Sequence, residues 1–198
     1  MKTFEMPRQA VAQAAPSSAS RRSLLRSLLA LPFASFGASA FAAGGGLEQF
    51  YKFNTKPEVF LAEVFGPAVP PAQSVSVGGN PASLLQPPPA RMHYWRANGR
   101  TVWIFDEIGK TGYLPTTCAF VVKDGAIERA KVLIYRESRG DQVGQPTFLQ
   151  KLAGARATSS GLDRSVDNIS GATYSVKLME RMARMALILD TQAVASAS

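Results

Sequence analysis

Two tight-turn signals, Asn98-Gly99 and Lys123-Asp124-Gly125, each stand between runs of β-branched and aromatic residues. They constrain the fold more than any other feature of the chain. His93-Tyr94-Trp95-Arg96 leads into the first turn and residues 101–105 leave it; residues 117–122 enter the second and residues 127–135 return. Short hairpins close where the backbone needs positive φ, and Asn, Asp and Gly tolerate that best. Successive hairpins predict an antiparallel meander and argue against a parallel Rossmann sheet. In the return strand the apolar Ile127, Val132 and Ile134 stand against the polar Glu128, Arg129 and Lys131, which predicts a sheet with one wet face.

Helical signals flank these strands. Thr55-Lys56-Pro57-Glu58 offers a capping hydroxyl, a first-turn proline and an acid three residues after the cap, and Gly66-Pro67 stops the helix that follows. Residues 66–90 hold Pro67, Pro70, Pro71, Pro81, Pro87, Pro88 and Pro89, so they read as an extended surface segment with a short strand at 73–77. Residues 146–152 read as a short helix with Phe148, Leu149 and Leu152 inward, ended by Gly154. The last helix begins near Tyr174, where Val176, Met179, Met182, Ala183 and Ala186 recur at three- and four-residue spacing as far as Leu189. Residues 191–198 read as a frayed tail. The expected architecture is one α+β domain over 44–190, a twisted antiparallel sheet of hairpins packed with a few helices.

The first forty-three residues have another character. Arg21-Arg22 precedes an uncharged apolar and small-residue run over 27–43, which ends in Ala38-Ser39-Ala40 and Ala40-Phe41-Ala42. Basic region, mild apolar region and small-x-small cleavage sites make a signal sequence, and the arginine pair points to the twin-arginine translocase as a partner. Export to the periplasm is the expectation, with a membrane tether if the signal is retained. The formal charge of +8 includes Lys2, Arg8, Arg21, Arg22 and Arg26 against Glu5, so the chain without residues 1–43 carries +4. With no basic cluster interleaved with aromatics, nucleic acid is not an expected partner. A single cysteine, Cys118, excludes an internal disulfide and any Cys-rich cluster, and the single histidine, His93, cannot supply both a triad and a metal site. No metal is expected, and redox chemistry in such a chain would fall to an organic group. Cys118 reads as a buried, inert small hydrophobe.

One stretch carries chemistry: Asp167-Asn168-Ile169-Ser170-Gly171-Ala172-Thr173-Tyr174-Ser175, at the junction of a loop and the last helix. The N–H groups of a first helical turn lack intrahelical partners, and the dipole there favours an anion. Gly171 and Ala172 leave room for a bulky group, so a phosphate at Thr173 is chemically reasonable. Ser170 or Thr173 as a plain helix cap explains the same residues. Local chemistry leaves both open.

The stretch resembles the Asp-x-x-Ser-Gly-Ala-Thr-x-Ser/Thr signature of the FMN-binding domain family, which includes the C subunit of sodium-translocating NADH:quinone reductase and a subunit of the related Rnf complex. Gly109-Lys110, the strand pair over 116–135, Tyr135-Arg136-Glu137-Ser138-Arg139-Gly140, Phe148-Leu149 and the final helix are similar in order. The resemblance implies FMN joined by its phosphate to the Thr173 hydroxyl as a phosphodiester. It also implies a flavin transferase that recognises Asp167. Ser170, Gly171, Ala172, Tyr174 and Ser175 would surround the link. An isoalloxazine ring wants flat apolar walls and donors near its N1/O2 edge. Lys110, Arg136 and Arg139 are candidate donors, and Tyr135, Tyr174 and Trp103 candidate ring neighbours; Arg136 with Glu137 is also readable as a structural ion pair, Trp103 as core and His93 as structural or surface. The implied function is an exported electron-transfer module between a membrane donor and a redox acceptor, with no catalytic residue of its own. A flavin-dependent reductase of a small molecule or chelated metal is the first alternative, and a flavin-free binding or structural module the second.

Overall fold

A computed structural model describes residues 51–196. The leader expected over 1–43 and the expected start of the domain at 44 lie outside the described residues. The elements are α1 (Pro57–Phe65), β1 (Gln73–Ser76), β2 (Arg91–Ala97), β3 (Arg100–Glu107), β4 (Thr116–Lys123), β5 (Ala126–Ile134), α2 (Pro146–Leu152) and α3 (Thr173–Ala195), with one turn of 3-10 helix at Asp141–Gly144 before α2. The strands form a single antiparallel sheet in the order β1-β2-β3-β4-β5, so the domain is α+β.

Turn chemistry sets this register. Asn98 and Gly99 take φ of 52° and 73°, and Asp124 and Gly125 take 52° and 69°. Positive φ at both central residues matches hairpin twist, and it aligns Ala97 with Arg100 and Lys123 with Ala126. α1 starts as Pro57 fixes its first position, but Lys56 and not Thr55 is the N-cap, and no side chain caps it. Thr55 is engaged elsewhere, its N–H donating to Leu133 O at 2.8 Å.

The expectation of one wet face is corrected. β4 is buried along nearly its whole length. On one side Trp103, Phe105, Cys118, Phe120, Val122, Ile127 and Val132 pack against Met179, Met182, Ala183 and Ala186 of α3. On the other, Val102, Ala119, Val121 and Leu133 pack under Phe60 and Leu61 of α1. α1 is short, yet Phe60 is fully buried, which contributes roughly 2–3 kcal/mol by area. Bulges beside Cys118 and Val122 shift the β4–β5 register, so strict alternation does not hold along the pair. Glu128 and Arg129 stay exposed, and Arg129 and Lys131 both bind Glu63 of α1 at 2.7 Å.

α3 outruns its expected end. It continues to Ala195 because Ala193 is buried at its far end and the Ser196 N–H and hydroxyl both bond to Gln192 O. Nearby, Asp190 accepts from Arg96 at 2.9 Å. The proline-rich segment after β1 is a strap. Asn80 ties it into a turn, its side chain donating to Leu84 O and accepting from Leu84 N–H. The strap is then pinned by Glu107, a fully buried carboxylate that accepts from the N–H groups of Leu85 (2.7 Å) and Gln86 (3.2 Å) and from Arg181 of α3 (2.9 Å). Among the described residues no helix is long and apolar enough to cross a membrane.

Candidate functional site

Thr173 is the first residue of α3. The N-cap is Ala172, and no side chain caps the helix. Neither Ser170 nor Thr173 caps it, so the plain-cap reading fails and the N–H groups of the first turn have no side-chain partner among the described residues. Gly171 turns the chain into the helix with φ of 79°, with open space where a side chain would sit. Ala172 is buried, so its small size serves the core while Gly171 alone leaves the ground beside Thr173 open. The half-buried Thr173 hydroxyl accepts from Asn168 Nδ2 at 3.1 Å. That bond orients the oxygen and leaves its proton free to be lost.

The remaining residues divide into those on the surface beside Thr173 and those beneath it. Tyr174 is 47 % exposed. Lys110 Nζ lies 5.3 Å over its ring, and Tyr113 meets it edge-on with centroids 6.2 Å apart. Gly109 lies alongside, where a Cβ would meet Tyr174 at an ordinary van der Waals distance of 3.5 Å. Tyr113 and Leu114 are likewise exposed. The Leu114 N–H donates to the Glu137 carboxylate, which fixes the turn against the segment following β5.

Below the helix start, Tyr135 is buried, and its hydroxyl donates to Arg139 O at 2.5 Å. With that proton committed, Ser175 donates to Tyr135 Oη across 2.9 Å. Burial pushes the Tyr135 phenol up, against the pull of the Ser175 bond. Tyr135 therefore clamps the loop and the first turn of α3 from the core side and is not a surface wall. Gly140 sits under the same clamp, where a Cβ would lie 2.1 Å from Ser175 Oγ.

Arg136 and Glu137 do not pair. Arg136 donates to Pro115 O (2.6 Å) and Thr117 Oγ1 (2.9 Å) and lies 3.8 Å from Asp106, while Glu137 takes the Leu114 amide. The chain bends at Glu137, just after Arg136, and the two take different partners. Trp103 is fully buried in the core, distant in role from any surface ring site. Arg139 is exposed, as are Ser170 and His93. Asp167 is exposed too and bound to Lys151 at 2.8 Å; that hydrogen bond holds its carboxyl below the usual range. Cys118 lies in the core 3.4 Å from the Met179 sulfur, and burial pushes its thiol well up. Among the described residues no group of three or more potential ligands could hold a metal.

Residues 109–188 match the model of the FMN-binding domain. The matched stretch runs from the turn beneath Tyr174 through β4, β5, α2 and Thr173 to near the end of α3, leaving α1, the strap and β1 to β3 outside. This match supports a flavin-binding protein with FMN as its cofactor. No curated protein and no solved structure matches the chain. The residues present fit the group: an open hydroxyl on a helix start for the phosphate, with two exposed tyrosines, Leu114 and Lys110 alongside for a flat ring.

Sequence reading missed Asn168, Tyr113, Leu114 and Lys177. Asn168 sits within the signature itself. Tyr113-Leu114 stand out as large apolar residues in a turn bounded by Gly112 and Pro115. Lys177 follows Thr173 by one helical turn, a spacing that puts both on one face.

Proposed function

We propose that Thr173 carries FMN as a phosphodiester and that the protein is an exported electron-transfer flavoprotein. The observation that carries the reading is the uncapped α3 start with the Thr173 hydroxyl held open beside it. With a flavin dinucleotide as donor, a flavin transferase would form the bond from Oγ1 to the FMN phosphorus as the diphosphate bond breaks, the nucleoside monophosphate leaving and the threonine proton passing to a base of the transferase. The diester's one negative charge would then sit at the positive end of a long helix, worth roughly 0.3–1 kcal/mol. A role for Asp167, six residues earlier, in recognition by the transferase is supported by its exposure; its partner is Lys151 and not the hydroxyl.

Bound FMN supplies one- and two-electron transfer. The protein's part is to hold the ring. Tyr174 and Tyr113 offer flat apolar faces, and Lys110 brings positive charge that favours the reduced, more anionic form. With Tyr174, Tyr113 and Leu114 all exposed, a ring held there keeps an edge accessible to a membrane donor and a redox acceptor. The twin-arginine leader accounts for the compartment, where a noncovalent flavin would be lost by dilution. The test is co-expression of the full chain with a flavin transferase, followed by denaturing-gel fluorescence and intact mass. We expect one FMN per chain and none in Thr173→Ala. Fluorescence retained in the variant overturns the assignment.

A further inference from the structure

A cavity lies along α3, beyond Thr173 toward the C-terminus. The strap at Ala82 and Ser83, the loop tip at Ser160 and Gly161, and the α3 side chains Lys177, Glu180, Arg181 and Arg184 enclose a cavity of about 420 Å³, with Leu162 and Arg164 completing its wall. That volume is within the range of small-molecule pockets. Its walls are braced. Arg156 and Asp163 bond across the loop base, and the Thr158 amide and hydroxyl both bond to Gly161. Glu107 pins the strap through Leu85 and Gln86.

The lining is cationic. Four of its side chains are basic and one, Glu180, is acidic. Arg181 is already neutralised by Glu107 at 2.9 Å and donates to Ile108 O. Arg164 donates to Ala153 O, with Asp163 at 3.7 Å. Arg184 spends one nitrogen on Ser159 O, while its Nε is buried and has no acceptor among the described residues. A buried donor left unpaired is costly, and such a group asks for an explanation. Lys177 is exposed at the mouth. Burial raises the Glu180 carboxyl, against the pull of Lys177 and Arg181. By helix geometry Lys177 and Arg184 stand about 6 and 16 Å along the axis from Thr173 on the same face.

We propose that this cavity is a binding site for a small oxyanion-bearing molecule, a carboxylate or a phosphate, held by Arg184, Lys177 and Arg164. It goes beyond the flavin anchor and does not depend on it. The strap that forms one wall lies outside the residues that match the FMN-binding domain.

The experiment titrates inorganic phosphate and, separately, succinate into flavin-loaded full chain and into the flavin-free Thr173→Ala variant, read by calorimetry and amide NMR shifts. We expect saturable binding of at least one probe in both proteins, with shifts at Lys177, Arg184 and the loop tip; which probe binds tighter tells phosphate from carboxylate. Lys177→Gln, an exposed change that leaves the core alone, should weaken binding about tenfold, the worth of one charge-assisted hydrogen bond. Glu180→Gln should tighten it. Three results would overturn the proposal: no saturable binding of either probe, affinity indifferent to both substitutions, or binding confined to the flavin-free chain, which would give the cavity to the flavin.

Discussion

Glu107→Gln is the perturbation that most directly tests how the strap is held. The carboxylate is fully buried, and Oε1 accepts from Leu85 N–H, Arg181 Nη2 and Arg181 Nε while Oε2 accepts from Gln86 N–H. A glutamine of the same shape can keep only one of these oxygens. Its better orientation leaves Oε1 in place and turns an NH₂ toward the Gln86 N–H, donor against donor at 3.2 Å. The charge opposite Arg181 is lost in either orientation. Breaking a buried pair costs about 3–5 kcal/mol. Arg181 retains 17 % exposure and so keeps some water, and the amide keeps an acceptor, which brings the expected loss to about 2–3 kcal/mol. For a chain of this size that is a fall of roughly 4–12 °C in Tm. Urea unfolding followed by circular dichroism measures it. Arg181→Met and the double variant complete a cycle, in which the pair should couple by at least about 1 kcal/mol. Cleavage within 80–90 by a protease should quicken in Glu107→Gln under native conditions. A stability change below about 0.5 kcal/mol, or strict additivity in the cycle, would refute the reasoning.

Gly140→Ala places a Cβ 2.1 Å from Ser175 Oγ and 2.7 Å from Tyr135 Oη at φ of 89°; it should cost about 2–3 kcal/mol by urea unfolding and lower flavin loading per folded chain, whereas Gly109→Ala, whose Cβ meets Tyr174 only at 3.5 Å, should fold nearly normally. Tyr135→Phe removes the donor to Arg139 O and the acceptor for Ser175, an expected loss of about 1–2 kcal/mol at neutral pH. Because the folded phenol is raised above its ordinary value of 10.0, the folded state holds that proton more tightly. The contribution is whole below the unfolded value and is lost as pH rises through the folded one. The gap between wild type and Tyr135→Phe should therefore narrow above about pH 10, and a gap that is flat or widens there would contradict the burial.

The chain reveals what is local. Asn98-Gly99 and Asp124-Gly125 accept positive φ wherever they are placed, so the hairpins and the antiparallel order follow from them. The three- and four-residue spacing from Val176 to Leu189 needs only one apolar surface to settle against, and Thr173 at the head of that helix is legible for the same reason. The tertiary structure decided what depends on distant partners. Tyr135 turned inward because Gly140 and Ser175 closed over it. Arg136 found Pro115 and Thr117 instead of its neighbour Glu137. The sheet buried both faces because α1 was available to cover the second. Helical spacing does not set Lys177 and Arg184 apart; the strap, nearly a hundred residues earlier, folds back over Glu107 and makes a walled cavity with them. Turn preference and helical period act between neighbours and are written in the chain; the desolvation of a charge depends on what else the folded chain brings beside it.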